Sequence, residues 1–230
     1  MRVAGGGLID RSQPVSFKFD GRKVRGFVGD TVASALLAND IRLVGRSFKY
    51  HRPRGIVSAG SEEPNALVTV GRGTGQEPNV RATVQEIWDG LELHSQNRWP
   101  SLKTDILSVN DLAAPLLTAG FYYKTFMWPR SFWERVYEPI IRRAAGLGAL
   151  SPQADSAIED KAFAFCDLLV IGAGPAGLMA ALAAGRAGLD VILADEDVQP
   201  GGRLLSDTGE IGGMAGAAWA GQVAAELASL

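Results

Sequence analysis

Cysteine is almost missing from this sequence: Cys166 stands alone among 230 residues. One thiol cannot build an internal disulfide framework, and it cannot supply the thiolates of an iron–sulfur cluster or a zinc site within the chain. It suits a reducing compartment, and the cytoplasm is the expected location. Histidine is nearly as scarce. His51 and His94 are well apart and sit in no triad or metal-ligand spacing, which favours packing or surface roles for both. Charge of one sign is not in excess either; the formal net charge of −2 gives no global field toward nucleic acid or an anionic membrane. Long apolar runs are also lacking. The two most apolar stretches, 168–191 and 211–230, are broken by Arg186, Gln222 and Glu226 and carry helix or strand periodicity instead of an uninterrupted span. Residues 1–11 lack the apolar core of a secretory signal. What is left, 47% hydrophobic and 21% charged, is the composition of a soluble globular chain of one or two domains.

Residues 1–105 carry strand alternation. From about residue 10, Val15, Phe17 and Phe19 alternate with Ser16 and Lys18, Asp20-Gly21 supplies a hairpin turn, and 24–28 return as a second strand. Asp30 stands as N-cap of a short helix over 31–38, with Val32, Ala35 and Leu36 on one side. Residues 66–70 predict a further strand. A hairpin, a short helix packed on it and later strands outline an α+β unit of β-grasp type. Residues 106–165 differ in kind. Pro115, Pro129, Pro139 and Pro152 punctuate them, and 120–133 read GFYYKTFMWPRSFW. This pattern predicts short helices in an aromatic connector. Such aromatics either form a packing wedge between domains or present a docking face to another subunit.

Residues 166–230 read as the opening βαβ part of an α/β Rossmann domain. An apolar strand over 168–171 runs into the loop GAGPAG (172–177), an alanine-rich helix follows over 175–186, and Gly188 ends it. The second strand covers 190–194, and a last helix begins near Ala217. In this context each glycine has a task. Gly172 permits the tight turn out of the strand, Gly174 lets the backbone approach a pyrophosphate, and Gly177 lets helix and strand pack closely. The helix N-terminus then offers N–H groups to phosphates. Asp195 lies about 20 residues downstream at the strand tip, where a carboxylate accepts from ribose hydroxyls. Glu196 and Asp197 follow it. Three acids disfavour a 2′-phosphate, so NAD or FAD fits better than NADP, while a plain solvated loop remains open for the last two. The triplet Gly201-Gly202-Arg203 resembles the second glycine motif of two-dinucleotide-binding flavoproteins. Arg203 either forks onto a phosphate or pairs with those acids. Two strands are fewer than such a sheet needs, so 166–230 are expected to be completed by more polypeptide or by a partner.

One further run stands out. Residues 45–55, GRSFKYHRPRG, interleave Arg46, Lys49, Arg52 and Arg54 with Phe48 and Tyr50. Charge with stacking of this kind holds single-stranded nucleic acid in some proteins, but no RNP motif and no basic net charge accompany it here. An acidic partner or a cofactor phosphate suits the loop better. Neither a nucleic acid nor a membrane is expected as a partner.

The segments FDGRKVRGFVGDTVASALLANDIRLVGRSFKYHRPRGI, EEPNALVTV, PNVRAT and YEPIIRRAAGLG, with the VIGAGPAGL loop and LADE, resemble the α subunit of heterotetrameric sarcosine oxidase. The resemblance runs over nearly all of the chain but covers only the front of a much longer subunit. It implies an oxidoreductase complex that converts sarcosine to glycine, hydrogen peroxide and a folate-accepted one-carbon unit. It also implies NAD in the Rossmann domain of α, FAD in β, FMN between them, and β, γ and δ subunits as partners. By the same resemblance the first region is ferredoxin-like. The cluster cysteines of related amine and opine oxidases fall after the helix, and 39–60 here contain none; the fold is expected to be kept and the cluster lost. Carried over by position, dinucleotide contacts fall on Gly172, Gly174, Ala176, Gly177, Asp195, Glu196, Asp197 and Arg203. No catalytic residue and no metal ligand is expected in this chain. Two alternatives stand beside this reading: a subunit of an FAD-dependent opine or amino-acid dehydrogenase, and a non-catalytic interaction module.

Overall fold

The computed structural model describes residues 2–3, 9–115, 117–121, 124, 126–154 and 160–230. The chain divides into two compact units, Met1–Ala157 and Ile158–Leu230.

In the first unit, β1 (Asp10–Phe19) and β2 (Arg22–Val28) form the hairpin that the alternation predicts. Its turn residues Asp20 and Gly21 have φ of 49° and 79°, the left-handed pair that a two-residue turn matching strand twist requires. Helix α1 (Val32–Ala38) follows, then a small ladder of β3 (Gly45–Arg46) and β4 (Pro53–Arg54). Next come β5 (Leu67–Val70), β6 (Glu77–Arg81) and β7 (Glu92–Ser95). The main sheet has five strands in the order β2-β1-β7-β5-β6. Its central pair β1–β7 is parallel, with Lys18 opposite Glu92, and the other pairs are antiparallel. Phe17, Phe19 and Val24 point inward from the hairpin and meet Val32, Ala35 and Leu36 of α1 together with Val68 and Leu93. At about 1.5–3 kcal/mol for each large side chain fully buried, this cluster is the main source of cohesion in the unit.

The start of α1 differs from expectation by one residue, for a definite reason. Thr31 is the N-cap, its hydroxyl accepting from the Ser34 N–H at 3.2 Å. Asp30 is fully buried. Its carboxylate accepts from the Phe27 N–H at 2.9 Å and the Ser34 hydroxyl at 2.6 Å, and takes both guanidinium nitrogens of Arg2 at 2.7 and 2.5 Å. Asp30 therefore ties the hairpin, the helix and the N-terminal arm together.

The connector is made of short helical turns, as the prolines suggest: 3₁₀ turns at Ile106–Ala113 and Arg130–Phe132, a π turn at Trp133–Tyr137, and helix α2 (Glu138–Ala144). Of its aromatics, Tyr122 and Tyr123 lie outside the described residues. Phe121, Phe126, Phe132 and Tyr137 stack on one another with ring centroids 5.1–6.1 Å apart, while Trp128 is 84% exposed.

The basic run is spent largely inside its own unit. The Lys49 ammonium and the Tyr50 hydroxyl donate to the Leu117 carbonyl, Arg52 forks onto Asp111, and Arg46 donates to the carbonyls of Leu102 and His51. His51 is buried, with Nδ1 2.7 Å from the Asp105 carboxylate, a packing role. His94 accepts from Arg72 at 2.8 Å.

The second unit holds β8 (Leu168–Ile171) and β9 (Val191–Ala194), paired in parallel from Leu168↔Val191 to Ile171↔Ala194. Helix α3 (Pro175–Arg186) crosses between them. Pro175 sits at its first position, where its missing N–H costs nothing, and Gly188 follows the end at φ 82°. Leu178, Ala181 and Leu182 form its buried stripe. After a 3₁₀ turn (Gly202–Leu205) and the short hairpin β10 (Glu210–Ile211) with β11 (Met214–Ala215), helix α4 (Gly216–Leu227) packs Ala220 and Val223 against Leu178 and Leu182. On the other side of β8, Leu169 and Ile171 are 55% and 82% exposed.

Candidate functional site

The turn out of β8 begins at Gly172, whose φ of 101° excludes side chains at low cost. Its N–H donates to the Ala194 carbonyl at 2.7 Å, extending the ladder by one bond so that the loop leaves from the tip of the sheet. Gly174 is the N-cap of α3 and gives the helix no side-chain cap. The N–H groups of Ala176 and Gly177 in the first turn have no intrahelical acceptor and face whatever lies before the helix. A Cβ on Gly174 would meet nothing within 4 Å, so the space above it is open. Gly177 is the opposite case. A Cβ there would stand 1.8 Å from the Gly172 carbonyl oxygen and 3.4 Å from Val170. The helix can lie this close to its strand only because the position is glycine.

Asp195 is at the tip of β9, and its carboxylate is already organised. One oxygen accepts from the N–H of Ala173 in the glycine loop, and the other from the Asp197 N–H at 2.7 Å. Each oxygen keeps a further lone pair for a hydroxyl donor. The carboxylate thus locks the loop to the second strand and remains able to accept from a ribose.

A second turn closes over the first. The Gly201 N–H donates to the Ala173 carbonyl at 2.8 Å, and at Gly202, φ 51°, a Cβ would come 3.2 Å from the Gly174 Cα. Ala173, 3% exposed, is therefore held by two partners, Asp195 and Gly201. The sequence pattern does not point to Ala173, because its part is played by backbone groups. The Gly201-Gly202 pair was legible as a motif.

Gly172, Gly174, Gly177 and Asp195 come together at the tips of the two strands, with Ala176 in the first turn of α3. Glu196 and Asp197 continue from Asp195, Glu196 exposed and Asp197 half-buried. Arg203 is exposed and lies 3.9 Å from Asp207, four residues on. A cavity of about 640 Å³ reaches this region. Asp195, Asp197 and Pro200 line it, as do Ala181, Leu193 and Leu227. Among the described residues, no group of three or more His, Cys, Asp or Glu side chains is placed to hold a metal, and no helix is long and apolar enough to cross a membrane.

Fold and site together define a chain with a ferredoxin-type β-grasp unit followed by a dinucleotide-binding βαβ unit. Comparison with known families agrees. Residues 12–98 match the model of the 2Fe-2S iron-sulfur cluster binding domain, and 167–220 match that of the FAD binding domain. The second match names FAD and does not speak for NAD. Among characterised proteins, the chain is 63% identical over 229 residues to the sarcosine oxidase α subunit of Rhizobium meliloti, and 37% identical over 228 residues to that of a Corynebacterium species. These alignments cover 100% and 97% of this chain but 23% and 19% of the relatives. The resemblance to sarcosine oxidase α subunits thus holds over the whole chain, which spans about a quarter of their length or less. Among solved structures, L-proline dehydrogenase from P. horikoshii shares the fold, with a TM-score of 0.50 and 18% identity over 94% of this chain and 32% of that one.

Proposed function

We propose that this chain is the front segment of the α subunit of a multi-subunit sarcosine oxidase, where it holds a dinucleotide and carries no group that attacks the amine. The observation that carries the reading is the glycine loop, closed against β8 at Gly177, tied to Asp195 and open above Gly174. Its ligand is the ADP half of a dinucleotide: pyrophosphate before the α3 N-terminus, adenosine ribose at Asp195, and further contacts from Glu196 and Asp197. Arg203 is exposed near the second turn and supplies a phosphate contact by leaving Asp207. The dinucleotide is NAD, with FAD and FMN elsewhere in the assembly; the acids after β9 oppose the 2′-phosphate of NADP. The match to an FAD-binding model favours a second reading, in which FAD itself lies on this loop as in a dehydrogenase subunit. The β, γ and δ subunits are the proposed partners, and the cytoplasm the proposed location. The internal use of Lys49, Arg46 and Arg52 speaks against a nucleic-acid role for the basic run.

Gly174→Val in the full-length subunit tests this directly. Its φ of −69° suits any residue, and a Cβ there meets nothing within 4 Å, so the substitution is expected to keep the fold, checked by circular dichroism, while its branched side chain fills the pyrophosphate space. Nucleotide released by denaturation is then identified by chromatography, with the visible flavin band separating FAD from NAD. The expected result is NAD in the parent and none in the variant. A folded Gly174→Val subunit with full nucleotide content would refute the site.

A further inference from the structure

The family model matched by 12–98 implies a 2Fe-2S cluster, and the residues present do not fit one. The chain's single cysteine, Cys166, lies outside that span, and such clusters are held by cysteine thiolates, with histidine replacing two of them in one class. The span contains instead a buried carboxylate on which a loop converges. Glu63 is 1% exposed. One of its oxygens accepts from the N–H groups of Val57 at 2.8 Å and Ser58 at 2.7 Å and from the Ser58 hydroxyl at 3.2 Å. The other accepts from the N–H groups of Asn65 at 2.8 Å and Ala66 at 3.1 Å. The loop closes on itself at Gly60, whose carbonyl takes the Glu63 N–H at 3.2 Å and the Thr83 hydroxyl at 2.7 Å.

Clusters of this type are anions whose sulfurs receive hydrogen bonds from the protein around them. A loop shaped for that task presents several converging N–H groups, and they are costly to bury unsatisfied. Four backbone N–H groups and a hydroxyl here share one side-chain anion. We propose that the Glu63 carboxylate does the structural work of the cluster in this chain: it is the internal anion on which residues 57–66 fold, and the loop needs no iron. Burial alone would push the Glu63 carboxyl up, but the N–H groups of Ser58, Asn65, Val57 and Ala66 outweigh it and hold the group below its ordinary range, so it is ionised at neutral pH. The loop leads directly into β5, where Ala66 and Val68 are fully buried. The carboxylate therefore also fixes where this inner strand starts.

The inference stands apart from the dinucleotide reading, and its test does not touch that site. Amide hydrogen exchange is measured on the full-length subunit in its complex, for the parent and for Glu63→Gln. The glutamine keeps the size of the side chain but turns an NH2 toward one pair of N–H donors. Protection is expected to fall at least about tenfold at Val57 and Ser58 or at Asn65 and Ala66, with β1 and β2 unchanged and nucleotide content intact. A folded Glu63→Gln protein with undiminished protection at all four amides overturns the proposal. If that variant does not fold, the parent decides alone. Slow exchange at these four amides supports the proposal, and exchange at the rate of an unstructured chain overturns it. Ferric iron and sulfide offered to the parent should leave it without a cluster; stoichiometric iron and sulfide with the visible cluster spectrum also overturns it.

Discussion

Two glycine-to-alanine substitutions in the same unit should act in opposite directions. At Gly177 the new methyl carbon would lie 1.8 Å from the Gly172 carbonyl oxygen and 3.0 Å from its carbon. Both are backbone atoms, so no rotamer change relieves the overlap, and α3 must draw back from β8. Overpacking of this kind costs about 1–3 kcal/mol, and the higher helix propensity of alanine returns about 1 kcal/mol. The net effect is a modest loss of stability. Binding should suffer more, because the first turn of α3 moves relative to Asp195 and to the open space above Gly174. Losing one well-aimed N–H to a charged phosphate is worth about 1.5–3 kcal/mol, a tenfold to hundredfold weaker dinucleotide. At Gly221, inside α4, a Cβ meets nothing within 4 Å. Alanine there should raise stability by up to about 1 kcal/mol and leave binding alone. Calorimetric titration of the nucleotide-free full-length subunits, with thermal unfolding in parallel, reads both effects. If Gly177→Ala binds and melts like the parent, the close approach of helix and strand is not what shapes the site.

Asp195→Asn should weaken dinucleotide binding by about tenfold or more, since an amide cannot accept at both oxygen positions from Ala173 and Asp197 while holding a ribose hydroxyl; equilibrium titration checks it. Asp30→Ala should destabilise the first unit by about 3–5 kcal/mol, because it leaves Arg2, Ser34 and the Phe27 N–H without their shared acceptor; denaturant unfolding measures this. Burial works against the charged forms of Asp30 and Glu63. Hydrogen bonds overcome it in both, from Arg2, Ser34 and Phe27 at Asp30 and from backbone N–H groups at Glu63, and both carboxyls sit below their ordinary range. Their stabilisation is therefore complete above the unfolded carboxylate range, about pH 4, and is lost as pH falls through the lower folded values. An acid titration of stability should steepen below about pH 4, and Asp30→Asn with Glu63→Gln should flatten it; an unchanged slope would contradict the assignment.

The second unit was the more legible of the two. Helix Pro175–Arg186 was read from sequence at both ends, because Pro175 and Gly188 act through their own backbone restrictions and need no distant partner. The glycine loop was legible for the same reason. What escaped depends on neighbours far along the chain or on groups that every residue has. Asp30 looked like a cap, and Thr31 takes that place because the Asp30 carboxylate is drawn to Arg2, 28 residues earlier. The run at 45–55 reads as a basic loop for an acidic partner or a cofactor phosphate, and its partners at Leu102, Asp111 and Leu117 could not be named because they lie more than fifty residues on. Glu63 stands in the EEPNALVTV segment, but its part there is not legible, since four of its five donors are backbone N–H groups.

The pairing at the middle of the first sheet also bears on how the chain reaches its fold during synthesis. Strands β1 and β7 meet side by side at Lys18 and Glu92, 74 positions apart. The hairpin of β1 and β2 is local and can form as soon as it leaves the ribosome, but the strand that divides it from β5 is made last of the five. Until Ser95 has emerged, β1 has one unpaired edge, and Phe17 and Phe19 lack part of their cover. Such long-range closure slows folding and leaves partly formed sheets open to mispairing. Translation pauses or chaperone contacts timed to the emergence of residues 92–95 should therefore govern yield more strongly than any event within the hairpin.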